Sequence, residues 1–248
     1  MLKSHFFGTF NSKLILISTF CCLFLSYIVN EDVQNILIFT GILSFGIVHG
    51  ANDVILLSKN LDKPNLNTIK LILMYSLMVV LSAVFFYFFP LIALIFFVLY
   101  SSYHFGEQQW TLFEKKSEKL HSLYFGYGSL IFSLLFLFNQ NYVSYIINDI
   151  TGIQLLSNHF LLYFLSSLLI FLIGLFSSYV LIIEQLLIQS VLLCLLCFMF
   201  YFSDLMLSFS VFFVFWHSIP SIIEQTKYIY GKNNFESIFK YFKKAFLY

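Results

Sequence analysis

The feature that most constrains this chain is a succession of apolar segments, each about 20 residues long. A bilayer core of about 30 Å requires about that many apolar residues in a helix. The composition agrees with this reading, because 60% of the 248 residues are hydrophobic and 10% are charged. A helix satisfies its backbone hydrogen bonds without water, so we predict an integral membrane protein built from helices.

The predicted fold is an all-α, polytopic membrane bundle with about eight transmembrane helices, in which residues 1–248 form one integral membrane domain. The first apolar segment is followed by no small-residue cleavage site, so we expect it to be retained as a helix. The more polar segment 140–157 is expected to lie at the membrane interface. The predicted helices lie near 13–30, 34–58, 68–89, 91–110, 121–139, 159–178, 180–202 and 204–227.

The distribution of lysines gives the orientation of these helices. With eight spans, all 13 basic residues, which are lysines, fall on one side of the membrane. They precede the first span, lie at the second and fourth loops and follow the eighth span. The positive-inside rule makes that side cytoplasmic. We therefore predict a multi-pass protein of the cell inner (cytoplasmic) membrane with both termini in the cytoplasm. The net charge of +1 gives no electrostatic case for nucleic acid.

Three histidines are predicted to share one depth in the membrane. His49, His104 and His217 lie about 13–15 residues into the second, fourth and eighth spans, which all run in the same direction. At 1.5 Å per residue, their depths agree to about 3 Å. Ionisable groups are costly at such depth, so we expect them to face the bundle interior and to have a function.

An acidic residue follows each histidine toward the cytoplasm. Asp53 comes four residues after the first histidine, Glu107 three after the second and Glu224 seven after the third. These offsets keep each pair on one helical face. The pattern suits a metal held by histidines with carboxylates that orient their rings. A proton relay is the alternative, and imidazole alone does not distinguish zinc, copper, iron and nickel.

The residues beside the histidines are small or aromatic. Gly46, Gly50 and Gly106 let helices approach closely or leave room for a ligand. Phe105 and Trp216 are suited either to core packing or to the wall of a slot for a flat, conjugated molecule. A site in hydrocarbon favours an apolar substrate that arrives from the lipid bilayer.

The histidine motifs resemble those of a known family. HGANDV begins at His49, SSYHFGE contains His104, and WHS contains His217. These motifs and their separations of 55 and 113 residues are similar to those of the Brp/Blh family of bacterial membrane β-carotene 15,15'-dioxygenases. The resemblance covers about residues 34–227, and the first helix is an extension.

The resemblance implies an oxidoreductase that uses Fe(2+) and O2 to cleave the apolar carotenoid β-carotene at its central double bond. The product would be all-trans-retinal, which implies an opsin-type protein as a recipient. His49, His104 and His217 match the first three metal ligands of the family, and Asp53 matches the acidic residue of its first motif. No catalytic residue beyond the metal centre is implied.

The sequence departs from the family pattern at the fourth ligand. A histidine is expected four residues after His217, but Ser221 occupies this position. Pro220 is expected to bend or break the helix there. Iron would then be held by the three histidines alone, or with Glu224 if the bend moves it inward. Family members also continue with more membrane helix, whereas here a lysine-rich tail is expected.

Two alternative functions remain open at the level of the sequence. One is a related oxygenase that acts on another carotenoid or lipid. The other is a non-catalytic membrane protein, either a carotenoid-binding or assembly factor or a proton or ion pathway.

Overall fold

Helices form the regular structure of the described part of the chain. The computed structural model describes residues 2–51, 56, 68–111 and 120–245, and residues in these ranges form no β-strand. The helices are α1 (Leu2–Ile28), α2 (Glu31–Ala51), α3 (Thr68–Phe88), α4 (Pro90–Thr111), α5 (His121–Phe138), α6 (Gln140–Thr151), α7 (Ser157–Ile182), α8 (Leu186–Phe202), α9 (Leu205–Val211), a π-helical segment (Phe212–Ser218), α10 (Ile219–Tyr230) and α11 (Phe235–Ala245).

Six of the described helices are long and apolar enough to cross a membrane, which confirms the all-α membrane bundle. Five are α2, α3, α4, α5 and α7, and the sixth is the continuous rod Leu205–Tyr230, formed by α9, the π-helical segment and α10. The other two predicted spans correspond to shorter apolar helices, Lys13–Ile28 and Leu186–Phe202. Residues 180–182 belong to α7, because a turn at the polar pair Glu184 and Gln185 separates it from α8.

Local sequence explains where several helices begin and end. Pro90 opens α4, because it fixes a helical φ and needs no hydrogen bond at the first position. The Asp204 carboxylate caps α9 by accepting a hydrogen bond of 2.9 Å from the backbone N–H of Leu207. Gly152 and Gly231 end α6 and α10 with positive φ values of 73° and 72°, a conformation that favours glycine. The segment predicted at the interface thus contains α6, whose 12 residues are too few to span.

Glycines bring α4, α5 and α7 into backbone contact. A Cβ atom on Gly106 would lie 1.8 Å from the carbonyl oxygen of Tyr124, and one on Gly128 would lie 1.8 Å from that of Ser102. Gly126 and Gly174 meet the backbones of α7 and α5 in the same way. Close approach of this kind stabilises membrane helices through van der Waals contact. The central helix is α5, of which 67% is buried, whereas α3 is 6% buried and lies at the periphery.

The C-terminal lysine-rich segment folds back as an amphipathic helix. In α11, Tyr241 is fully buried and Ala245 is 4% exposed, and both join a small apolar cluster with Val48, Ile222 and Ile229. Its outer face carries the ion pair between Lys240 Nζ and Glu236, at 2.6 Å. The hydrogen bond from Lys240 lowers the pKa of the Glu236 carboxyl. The expected tail is therefore an ordered helix that packs on α2 and α10.

Candidate metal centre

Three histidines from three separate helices meet inside the bundle. His49 lies in the last turn of α2, His104 in α4 and His217 in the π-helical segment. Their potential ligand atoms all lie within 4.8 Å of one another. The ring centroids of His49 and His104 lie 5.1 Å and 5.0 Å from that of His217. Metal–nitrogen bonds are about 2.1 Å long, so small side-chain rotations would bring all three rings onto one ion.

The π-helical segment explains how His217 and Pro220 occupy one continuous helix. The backbone N–H of Ile219 bonds to the carbonyl of Val214, five residues earlier, instead of the usual four. This wider turn lies immediately before Pro220, whose ring would clash with the carbonyl four residues before it in a regular α-helix. The expected break at Pro220 is therefore absent from the rod Leu205–Tyr230, and the distortion takes the form of a π-helical turn, a feature frequent at functional sites.

Gln108 links α4 to the π-helical segment through a hydrogen bond. Its side-chain Nε2 donates a hydrogen bond of 2.8 Å to the backbone carbonyl of His217, and both residues are buried. Gln108 lies four residues after His104 and therefore on the same face of α4. It thus holds two of the three histidine-bearing segments together. Gln108 was not among the site residues predicted from the sequence, although its helical spacing from His104 places it on the same face of α4.

His49 contacts a side chain from the last part of the rod. Gln225 Nε2 lies 3.3 Å from His49 Nδ1 and 3.3 Å from Ser221 Oγ. The hydroxyl of Tyr241 donates a hydrogen bond to Gln225 Oε1. Ser221, at the position of the expected fourth ligand, is buried and serves as a hydrogen-bond partner of Gln225. Gln225 and Tyr241 were not predicted as site residues, because nothing in their spacing indicates that α11 folds back.

Two of the acidic residues predicted near the histidines lie in the described part of the chain, and neither belongs to the group of potential metal ligands there. Asp53 lies outside the described residues. Glu107 Oε1 accepts a hydrogen bond of 3.2 Å from the hydroxyl of Tyr103, which also lies 2.6 Å from His121 Nδ1. Glu224 is exposed on α10. Among the described residues, the group able to hold a metal consists of the three histidines.

Aromatic side chains form the apolar wall of the cluster. The ring centroids of Phe105 and Phe213 lie 4.5 Å and 5.7 Å from that of His217. Tyr100 stacks with His104 at an interplanar angle of 14° and is 74% exposed on the surface of the bundle. Trp216 points elsewhere, since its Nε1 donates to Thr19 Oγ1 on α1 at 3.0 Å. The cluster is therefore flanked by Phe105 and Phe213 and lies close to the exposed surface of the bundle at Tyr100.

The donor set fits a transition-metal ion. His217 is 4% exposed, and its Nδ1 has no hydrogen-bond partner among the described residues. An unpaired buried polar atom is costly, and a metal ion is one partner that would satisfy it. Imidazole is a suitable ligand for iron, copper, zinc and nickel. The three histidines therefore form a donor set that could hold a metal ion beside apolar side chains.

Comparison with known proteins identifies a family. A family model described as beta-carotene 15,15'-dioxygenase matches residues 40–248, which contain all three histidines. No curated protein and no solved structure matches the chain.

Proposed function

Because the chain belongs to the beta-carotene 15,15'-dioxygenase family, we propose that it cleaves β-carotene at the central double bond, using O2, to give two molecules of all-trans-retinal. The observation that carries this proposal is the meeting of three histidines from separate helices within 4.8 Å inside an apolar bundle. Such a cluster is expensive to place in a membrane and has the chemistry that a metal-dependent oxygenase requires.

His49, His104 and His217 are the residues that would hold ferrous iron. Iron bound there would supply the O2 activation that oxidative cleavage needs. The three imidazoles bind as neutral ligands, and Gln108 fixes the backbone of one of them relative to the helix of another. No further side chain is proposed as a catalytic acid or base.

The surroundings of the histidines suit a long hydrocarbon substrate. Tyr100 is exposed beside His104, and the neighbouring helix α3 has mostly apolar, exposed side chains. An apolar carotenoid dissolved in the bilayer therefore meets the cluster without crossing water. Phe105 and Phe213 beside His217 offer flat apolar faces that orient a conjugated chain and exclude water.

The lysine distribution supports the membrane placement of the proposal. The six apolar helices make this a membrane protein, and we place it as a multi-pass protein of the inner membrane with both termini in the cytoplasm. The histidines then lie in the cytoplasmic half of the bilayer. Residues 1–248 are proposed to form one membrane domain.

Expression in a bacterium that makes β-carotene tests the activity. We expect the cells to lose their carotenoid colour and to accumulate retinal, whereas His104→Ala expressed at the same level leaves the pigment intact. His159→Ala is the matched control, because His159 Nδ1 accepts a hydrogen bond from the backbone of Leu156 at the start of α7 and lies outside the cluster. Intact β-carotene beside confirmed expression and iron loading would overturn the proposal. Cleavage products other than retinal would place the activity on another bond or carotenoid.

A further inference from the structure

A chain of hydrogen bonds links the C-terminal helix to one histidine of the cluster. The hydroxyl of Tyr241 in α11 donates to Gln225 Oε1 in α10, and Gln225 Nε2 lies 3.3 Å from His49 Nδ1 in α2. Because Gln225 forms a hydrogen bond with Nδ1 of His49, the Nε2 atom of this ring is the one left to bind a metal ion. We propose that Gln225 and Tyr241 are positioning residues that fix the ring and the tautomer of His49 for metal binding, an inference that rests on the proposed function of the cluster.

The burial of this chain supports a fixed geometry. Tyr241 is fully buried, and Val48, the residue before His49, packs in the same small apolar cluster. That cluster joins α2, α10 and α11 and is separate from the main core of the bundle. The side of the site that carries His49 thus depends on α11, whereas His104 and His217 pack against Phe105 in the main core.

The hydrogen bonds of Gln225 are compatible with His49 acting as a metal ligand. A histidine that binds a metal through Nε2 carries its proton on Nδ1 and needs an acceptor there. A 180° flip of the Gln225 side-chain amide places its oxygen toward His49 and its nitrogen toward Tyr241. The hydroxyls of Tyr241 and Ser221 both donate and accept, so this orientation keeps all the hydrogen bonds. The amide orientation is therefore coupled to the His49 tautomer.

Metal affinity of the purified full-length protein is the first measurement. We expect Gln225→Leu to weaken Fe(2+) or Co(2+) binding by roughly 10–100-fold, the range typical when a partner of a metal-bound histidine is removed. Gln225→Glu should restore affinity to within a few-fold of the wild type, because its carboxyl oxygen accepts the same hydrogen bond. Tyr241→Phe should weaken binding by a smaller factor. Tyr145→Phe is the matched control, since this exposed tyrosine of α6 is outside the chain of hydrogen bonds.

A second readout needs neither metal nor activity. The ¹⁵N chemical shifts of the His49 imidazole report its tautomer, and we expect them to change in Tyr241→Phe and Gln225→Leu but not in Tyr145→Phe. Unchanged shifts together with unchanged metal affinity would overturn the inference. A wild type that binds metal through His49 but cleaves no carotenoid would overturn the proposed function alone, and the variants would still test Gln225 and Tyr241. If the wild type binds no metal, the role in metal binding is overturned and the shifts decide only whether the hydrogen bonds exist.

Discussion

The imidazole rings of His49 and His217 meet edge to face, with centroids 5.1 Å apart and an interplanar angle of 83°. They come from opposite ends of the chain and share His104 as a third neighbour, so one ion would bridge all three helices. The affinity for such an ion would depend on each of the three histidines.

We therefore expect His217→Ala to lose more metal affinity than the roughly 10–100-fold typical of residues that only support a ligand. The loss arises because one donor is removed from a set of three. Metal content after purification and titration with Co(2+) measures it. His159→Ala should retain wild-type affinity, and equal losses in the two variants would contradict a metal centre at His217.

Gln108→Leu tests whether the position of His217 matters for metal binding, because this variant retains His217 but removes a hydrogen bond to its backbone. The substitution leaves the carbonyl of His217 buried without its side-chain donor, which costs about 1–3 kcal/mol. We expect weaker metal binding as well as lower thermal stability, because the link between α4 and the π-helical segment is lost.

Gln109→Leu is the matched control for Gln108→Leu. Gln109 is also buried, but its side chain bonds to Gln189 of α8 at 3.2 Å rather than to a histidine-bearing segment. We expect a similar loss of stability with no change in metal affinity. Equal metal affinity in both variants would show that Gln108 has no part in positioning His217.

Gly106→Ala tests the close contact between α4 and α5. The new Cβ would lie 1.8 Å from the Tyr124 carbonyl oxygen, so the helices must separate, at a cost of about 1–3 kcal/mol or more. We expect a lower unfolding temperature and a displaced His104, two residues away. In Gly46→Ala the new Cβ meets only the Phe213 ring at 3.6 Å, an ordinary contact that should be tolerated.

Ser221→His tests the fourth ligand position. Ser221 lies one turn after His217 on the same face of the rod and is 9% exposed. An added imidazole there should raise Fe(2+) affinity by about tenfold or more, equivalent to about 1.4 kcal/mol, and should increase retinal formation. Ser221→Asn adds polar volume without an imidazole and should bring no gain. Affinity no higher than that of Ser221→Asn would mean that this position does not face the metal.

The shared depth of the three histidines is the part of the site that could be predicted from the sequence. Given the span directions predicted from the lysines and a rise of 1.5 Å per residue, the common level of the three histidines follows from counting. The high free energy of an ionisable group in the hydrocarbon core also predicts that such residues face the bundle interior. Helical spacing places Gln108 on the face of α4 that carries His104, but its hydrogen bond to the His217 carbonyl depends on which helix that face meets. The contact of Gln225 with His49 depends on the packing of two helices in the same way.

The sequence by itself determined the helical membrane class, most of the span positions and the histidines that share a level, because length, apolarity and rise per residue are local properties. The tertiary structure alone decided which helix is central. The apolar helices α3 and α5 are 6% and 67% buried, and lipid and protein core favour the same side chains, so no polar stripe marks the inward face. It also decided the π-helical turn before Pro220 and the return of α11 to His49, because both depend on contacts between segments distant in the chain.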